Sequence, residues 1–281
     1  MDYVKKFSPK VDEQFSLESK TSLLTNKDYD WTGANTVAVY TVTTADMNDY
    51  DRQGVNSASG YISRYGPIQG LDATTQEYTL TKDRSFSFAI DKLDRDETAQ
   101  VLSAGSALAR QQREVVIPEI DTYVLNKMVT GAGTKEAAKA LTSENIYDEI
   151  LEANSVLDDY EVLEANRVLV VTPTTYQLLK RSKDFLMATD PAQEMLIRGI
   201  VAMIDGLAVM KVPASRLPAG FGFMVAHPVA TVAPVKLSEF KTHEDPPFIS
   251  GSLVEGRINY DAFVLANKKN AIYYQPIEVS P

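Results

Sequence analysis

The side chains that most often carry chemistry are scarce in this chain. It contains two histidines and no cysteine, which removes thiolate catalysis, disulfides and zinc ribbons together. His227 precedes Pro228 inside an apolar, strand-like stretch and reads as a structural histidine. His243-Glu244-Asp245 has the composition of a metal or acid–base cluster. Adjacent residues on a strand point to opposite faces, however, and no second histidine completes a ligand set. Nucleophile-elbow, phosphate-loop and dinucleotide-binding glycine patterns are absent from the sequence. Gly220-Phe221-Gly222 lacks the third glycine and a following helix, so it reads as a turn, and Asp158-Asp159 as a solvated helix face. These residues predict no catalytic residue, no cofactor and no metal site.

A different chemistry is concentrated between residues 46 and 74. Tyr50, Arg52, Tyr61, Arg64 and Tyr65 lie there, and Tyr and Arg are the types enriched at interface anchors. The connection is longer than the roughly 12–15 residues beyond which loops are usually functional or disordered. Either an interface or a loose surface loop fits it. Two strands must position it, 36–45 and 75–91. In the second, Phe86, Phe88 and Ile90 alternate with Ser85, Ser87 and Ala89, the period of a strand with one apolar face. Arg84 on that strand and Trp31 just before the first are further contact candidates. An isolated two-stranded ribbon is marginal in water, so something else must hold this one, and a copy of the same chain is the simplest holder.

The remaining elements follow from periodicity. The first thirty or so residues are polar with isolated apolar anchors and read as an arm lying along a surface. A long helix is predicted over 94–128, with Asp94 and Glu97 as a capping box, Gly131 past its end and a stripe through Leu108, Val115, Val116, Ile120 and Leu125. Pro118 interrupts it and is expected to kink it. Residues 145–160 form an amphipathic helix and 167–171 a buried strand. Thr172-Pro173 and Asp190-Pro191 each read as the start of a helix. Asp205-Gly206 is a two-residue hairpin turn between apolar strands. Alternating helices and strands describe an α/β unit, and a strand-rich end from about 238 is expected to return to the long helix.

Composition bounds the rest. At 281 residues, 44% hydrophobic and 23% charged, the chain matches a folded globular protein. No apolar run approaches the roughly 20 residues of a membrane helix, so no membrane partner is predicted. A net charge of −10 opposes sequence-independent nucleic-acid binding, which needs clustered Lys and Arg.

Residues 239–275, and within them Gly256 and the run Tyr260-Asp261-Ala262-Phe263-Val264-Leu265 followed by Asn267-Lys268, resemble the closing segment of tailed-bacteriophage major capsid proteins. The block Gln193-Glu194-Met195-Leu196-Ile197-Arg198-Gly199, then Ile204-Asp205-Gly206 and Val212-Pro213, is similar to the same proteins. So is the order of parts along essentially the whole chain. The resemblance implies the Hong Kong 97-type capsid fold, an α+β class. It assigns an N-terminal arm (1–35), an extended β-hairpin loop (36–92), a peripheral domain with a spine helix (93–141 with 239–281) and an α/β axial domain (142–238), with Asp205-Gly206 as an axial hairpin turn.

The implied function is self-assembly into hexamers and pentamers of an icosahedral head that encloses double-stranded DNA without sequence-specific binding. The implied location is the virion, assembled in the host bacterial cytoplasm. The implied partners are other copies, a portal protein, a scaffolding protein and decoration proteins. Some family members begin with a cleaved scaffolding segment; an arm starting near Met1 predicts a separate scaffolding protein or none. On 94–128, six acids stand against four bases, so a helix lining the inner wall is expected to hold DNA weakly. Two alternatives stay open. One is an encapsulin-like nanocompartment shell of the same architecture, and the other a soluble α/β enzyme with a pocket in 142–238.

Overall fold

The computed structural model describes residues 19–26, 36–50, 52, 64–66, 70–92, 104–182 and 200–278. The chain forms two compact units, one of residues 34–79 and one of residues 1–33 with 80–281.

The smaller unit is the ribbon. Strands β1 (Thr36–Val42) and β2 (Ala73–Thr79) pair antiparallel from Thr36 opposite Thr79 to Val42 opposite Ala73. The strand predicted over 75–91 is therefore two strands. Its first part stays in the ribbon, whereas β3 (Lys82–Asp91) joins a different sheet in the larger unit. The break falls at Leu80, which is buried, and Thr81, whose N–H and hydroxyl both donate to Asp261. A period-two pattern cannot reveal such a change of partner, because alternation continues on both sides of it.

The larger unit is built on a six-stranded sheet. Its strands are β4 (Thr134–Lys135), β5 (Val168–Val171), β6 (Ile200–Ile204), β7 (Leu207–Lys211), β8 (Phe221–Ala226) and β13 (Ile272–Pro276), in the order β4-β13-β8-β5-β7-β6. β5 and β8 are buried along their whole length, which explains their unbroken apolar sequences. Their side chains divide between two cores. Val168, Val170, Met224, Ala226, Ile272 and Tyr274 face one, and Leu169, Val171, Phe223, Val225 and Tyr273 face the other. Helices α3 (Ile146–Asp159) and α4 (Pro173–Arg181) cover the second face with Ile146, Ile150, Leu157 and Leu179. Thr172 caps α4, its hydroxyl accepting from the Thr175 N–H at 3.1 Å. The helix predicted at Asp190-Pro191, like the capping pair Asp94 and Glu97, lies outside the described residues.

The first face is covered by the long helix. Within the described residues it runs as α1 (Ala104–Gln111), a π-helical segment (Gln112–Val116) and α2 (Ile117–Gly131). Pro118 lies two residues past the π segment, with Ile117 between. A proline ring collides with the carbonyl four residues back, here Glu114, and a wider π turn removes that collision. The extra residue also shifts the apolar stripe. Val115, predicted on it, is exposed, while Val116, Ile117, Ile120, Val124, Leu125 and Met128 are buried.

A three-stranded antiparallel sheet completes the unit, in the order β10 (Val235–Glu244), β11 (Gly251–Tyr260), β3. Phe86, Phe88, Phe240 and Val254 pack with Leu108 of α1. Gly256 lies opposite both Phe86 and Phe240, and a Cβ there would sit 2.4 Å from the Phe86 ring. Two short strands, β9 (Thr231–Val232) and β12 (Phe263–Val264), pair with each other.

Candidate functional site

The contact candidates fall in both units. Tyr40 is 71% exposed in the ribbon, and the segment at its tip presents Met47 at 99% and Tyr65 at 78%. Tyr50 and Tyr65 meet edge to face at 5.1 Å between ring centroids, and Arg52 and Arg64 are exposed. Trp31 and Tyr61 lie outside the described residues. Among the residues of this unit whose burial is described, only Gly66 is buried. Backbone ladders and short polar pairs hold the ribbon: Thr36 and Thr79 hydroxyls at 2.8 Å, and the Thr43 hydroxyl donating to the Asp72 carbonyl at 3.1 Å. Among the described residues hydrogen bonds, and not apolar packing, set its shape.

Arg84 is committed within its own chain. Its Nε donates to Glu119 of α2 at 2.8 Å, so its guanidinium ties the three-stranded sheet to the long helix. Asp205 and Gly206 adopt φ of 44° and 76°, the left-handed pair that a two-residue hairpin between β6 and β7 requires. Asn154 of α3 donates to the Asp205 carboxylate at 2.9 Å and secures that turn.

The His243 cluster is spent on local structure. His243 Nε2 lies 3.4 Å from the Glu255 carboxylate on the adjacent strand, and Asp245 accepts from the Gly251 N–H at 3.2 Å. His227 Nδ1 accepts from the Val229 N–H at 3.1 Å, and burial pushes its pKa down. Among the described residues no group of three or more His, Cys, Asp or Glu could hold a metal, and no helix is long and apolar enough to cross a membrane.

Three buried polar hubs went unrecognised in the sequence. Asp121, fully buried on α2, accepts from the Ser19 hydroxyl at 2.9 Å, the Lys20 N–H at 3.1 Å, the Thr21 hydroxyl at 3.0 Å and Arg216 Nη1 at 2.9 Å. With Leu24, also fully buried, it fastens the segment 19–26 to the core. A signal existed: Asp121 falls on the helical spacing of Ile117, Ile120, Val124 and Leu125, where an acid is costly unless paired. Asp261 accepts from Thr81, from the Tyr123 hydroxyl at 2.8 Å and from the Ala262 N–H at 2.8 Å. Burial alone would raise its pKa, but these donors outweigh that and hold it below the ordinary carboxylate value. Arg167, 1% exposed, pairs with Asp158 at 2.7 Å and donates to Asn154 Oδ1 at 2.6 Å and to the carbonyls of Leu163 and Val162. Asp158 is thus an ion-pair partner and not an idle solvated acid.

Over the described part of the long helix, with Asp121 buried, the accessible ionic groups are Arg110, Arg113, Glu114, Glu119 and Lys127. The excess of acid expected over 94–128 rests on Asp94, Asp96 and Glu97, which lie outside the described residues.

This architecture is that of solved capsid subunits. A chain of the Mycobacterium phage Che8 structure is similar with a TM-score of 0.69 and 18% identity, covering 90% of this chain and 89% of that one. The capsid structure of cyanophage P-SCSP1u gives 0.68 and 13%, covering 92% and 87%. The virus-like particle from Pyrococcus furiosus gives 0.58 and 10%, covering 98% and 100%. No curated protein matches the chain in sequence. The class so defined is a shell subunit of the Hong Kong 97-type fold, α+β with mixed helix and sheet. The model of the phage capsid protein family matches residues 73–274, and the chain belongs to that family: it is a bacteriophage major capsid protein, a structural subunit of the icosahedral head.

Proposed function

We propose that the ribbon is an inter-subunit strap whose missing core is supplied by a neighbouring copy. One observation carries this: the described part of the ribbon is largely exposed, with Met47 and Tyr65 bare and Tyr50 half exposed at its tip segment. Apolar and aromatic surface of that kind gains roughly 25 cal/mol per Å² when covered. In this reading Trp31, Tyr50, Arg52, Tyr61, Arg64 and Tyr65 touch other subunits, and Arg84 contributes through its pair with Glu119. Residues 1–35 act as the arm and 36–92 as the extended loop. Residues 93–141 with 239–281 form the peripheral domain, bent at Pro118, and 142–238 the axial domain that presents Asp205-Gly206.

Subunits assemble into hexamers and pentamers through heterologous contacts that close around rotational axes. The completed head encloses double-stranded DNA without reading its sequence. A portal protein, a separate scaffolding protein and decoration proteins are the further partners, and assembly takes place in the host bacterial cytoplasm. The match to the phage capsid family favours a genome container over an encapsulin-like compartment. The subunit's role is structural and uses no catalytic residue. Deleting residues 51–68 tests the strap. The larger unit should keep its thermal unfolding transition while closed shells disappear from micrographs; normal shells from the deletion would refute the assignment.

A further inference from the structure

The six-stranded sheet carries opposite charge toward its two edges. On the β6 side, Lys180 and Lys211 share one aromatic ring. Their ammonium groups lie 5.2 and 5.5 Å from the centroid of the buried Tyr176 ring. Lys180 comes from the last turn of α4 and Lys211 from the end of β7, the strand next to the β6 edge. Arg181 follows Lys180, and all three cations are exposed. None of them is ion-paired among the described residues. Asp205, the acid of the nearby turn, is engaged by Asn154. Attraction to the ring positions the two lysines, so less side-chain entropy remains to be lost on docking.

The opposite edge is acidic. Around β4 and the start of α3, Glu136, Glu144, Asp148, Glu149 and Glu152 stand against Lys135 and Lys139. Lys139, whose N–H donates to the Pro276 carbonyl at the end of β13, lies 2.8 Å from Glu149 and 4.0 Å from Glu152. Glu144 and Asp148 are exposed, with no ion pair among the described residues. The field of this group is felt at Tyr273, where burial and then Glu136, Glu152 and Glu149 hold the hydroxyl above its ordinary pKa. Helix dipoles favour Asp148 at the start of α3 and Lys180 and Arg181 at the end of α4. They do not account for Lys211, which lies on a strand. Although α3 and α4 cover the same sheet face, no ion pair joins them among the described residues.

We propose that Lys180, Arg181 and Lys211 of one subunit dock against Glu144 and Asp148 of the next copy, and that this polarity fixes the head-to-tail order of subunits around a ring. The inference rests on the shell-forming reading and adds to it the residues that set the order. Both halves of the contact are present on every copy, at opposite sides of one sheet, as a heterologous contact requires. Turning one copy around would bring like charges together, which costs several kcal/mol at an interface. The charges act at contact range, because salt screens them beyond about 8 Å.

The test is a charge swap in the full-length chain. One variant carries Lys180→Glu with Lys211→Glu, a second Glu144→Lys with Asp148→Lys, and a third all of these changes. Thermal midpoints of the unassembled subunits should stay at the wild-type value. Each single-sided reversal should raise the protein concentration needed for shell formation about tenfold or more. The chain with both sides reversed should assemble near the wild-type concentration, since a reversed edge then meets a reversed edge. In wild-type shells grown from isotopically light and heavy subunits, a carbodiimide should couple Lys180 or Lys211 of one subunit to Glu144 or Asp148 of another. Unimpaired assembly of either single-sided variant would overturn the proposal, as would failure of the double reversal to recover, coupling within single subunits alone, or losses matched by lower thermal midpoints. Normal shells from Lys180→Glu with Lys211→Glu that no longer retain duplex DNA would assign the basic side to nucleic acid and overturn it too. Failure of the wild-type chain to form any shell would overturn the shell reading itself.

Discussion

Asp121 shows how much of this subunit rests on single buried charges. It holds the segment 19–26 through Ser19, Lys20 and Thr21 and anchors Arg216 beside it. Breaking a buried pair costs about 3–5 kcal/mol, and the partial exposure of Arg216 places Asp121→Ala near the lower end, about 3 kcal/mol. Denaturant unfolding of the subunit measures this, and a change under about 1 kcal/mol would remove Asp121 from its role. Asp261 and the tyrosines beside it make stability depend on pH at both extremes. The Asp261 pKa is depressed in the fold, so its contribution is present above the ordinary value of 3.8 and is lost as pH falls through the folded value. Burial, then the bond to Asp261, pushes Tyr123 up to about 12; burial, then the charge of Glu119, does the same for Tyr260. Their contributions are complete below the ordinary tyrosine value of 10.0 and are lost as pH rises toward about 12. Urea midpoints should therefore fall at both ends, and Tyr260→Phe should lessen the alkaline loss. An unchanged alkaline limb would contradict the Tyr260 assignment. These hubs were poorly legible in the sequence because their partners lie far along the chain: Asp121 is about a hundred residues from the arm and Asp261 is 180 from Thr81.

At the scale of elements, periodicity and turn chemistry located most strands and helices, including the hairpin at Asp205-Gly206 and the capped start of α4. What they could not supply was pairing. The division of the 75–91 strand between two sheets depends on Thr81 reaching Asp261, a tertiary event. The π segment before Pro118 depends on relief of a backbone collision, and it moved Val115 off the buried stripe. Gly251 offers a direct test of the three-stranded sheet. It has φ +145°, and a Cβ there would lie 2.1 Å from the Ile90 carbonyl oxygen. Neither strain is relieved by moving a side chain, so Gly251→Ala should destabilise the subunit by about 2 kcal/mol or more. Wild-type stability in Gly251→Ala would show that β11 and β3 are not in the described register.

At the scale of the whole molecule, a six-stranded sheet, a three-stranded sheet and one long helix give a well-packed larger unit, whereas the described residues of the ribbon are mostly exposed. The net charge of −10 keeps free subunits apart at low salt, so assembly should become easier as ionic strength screens it. Light scattering across a salt series reads this, and assembly favoured by low salt would contradict it. Composition pointed away from catalysis and toward interfaces, but only the structure placed the uncovered aromatic surface on particular residues. The central claim is that copies of this chain cover that surface by closing a shell. Negative-stain microscopy of the purified full-length chain tests it most directly. Uniform closed particles are expected; a subunit that stays monomeric under every assembly condition would contradict shell closure.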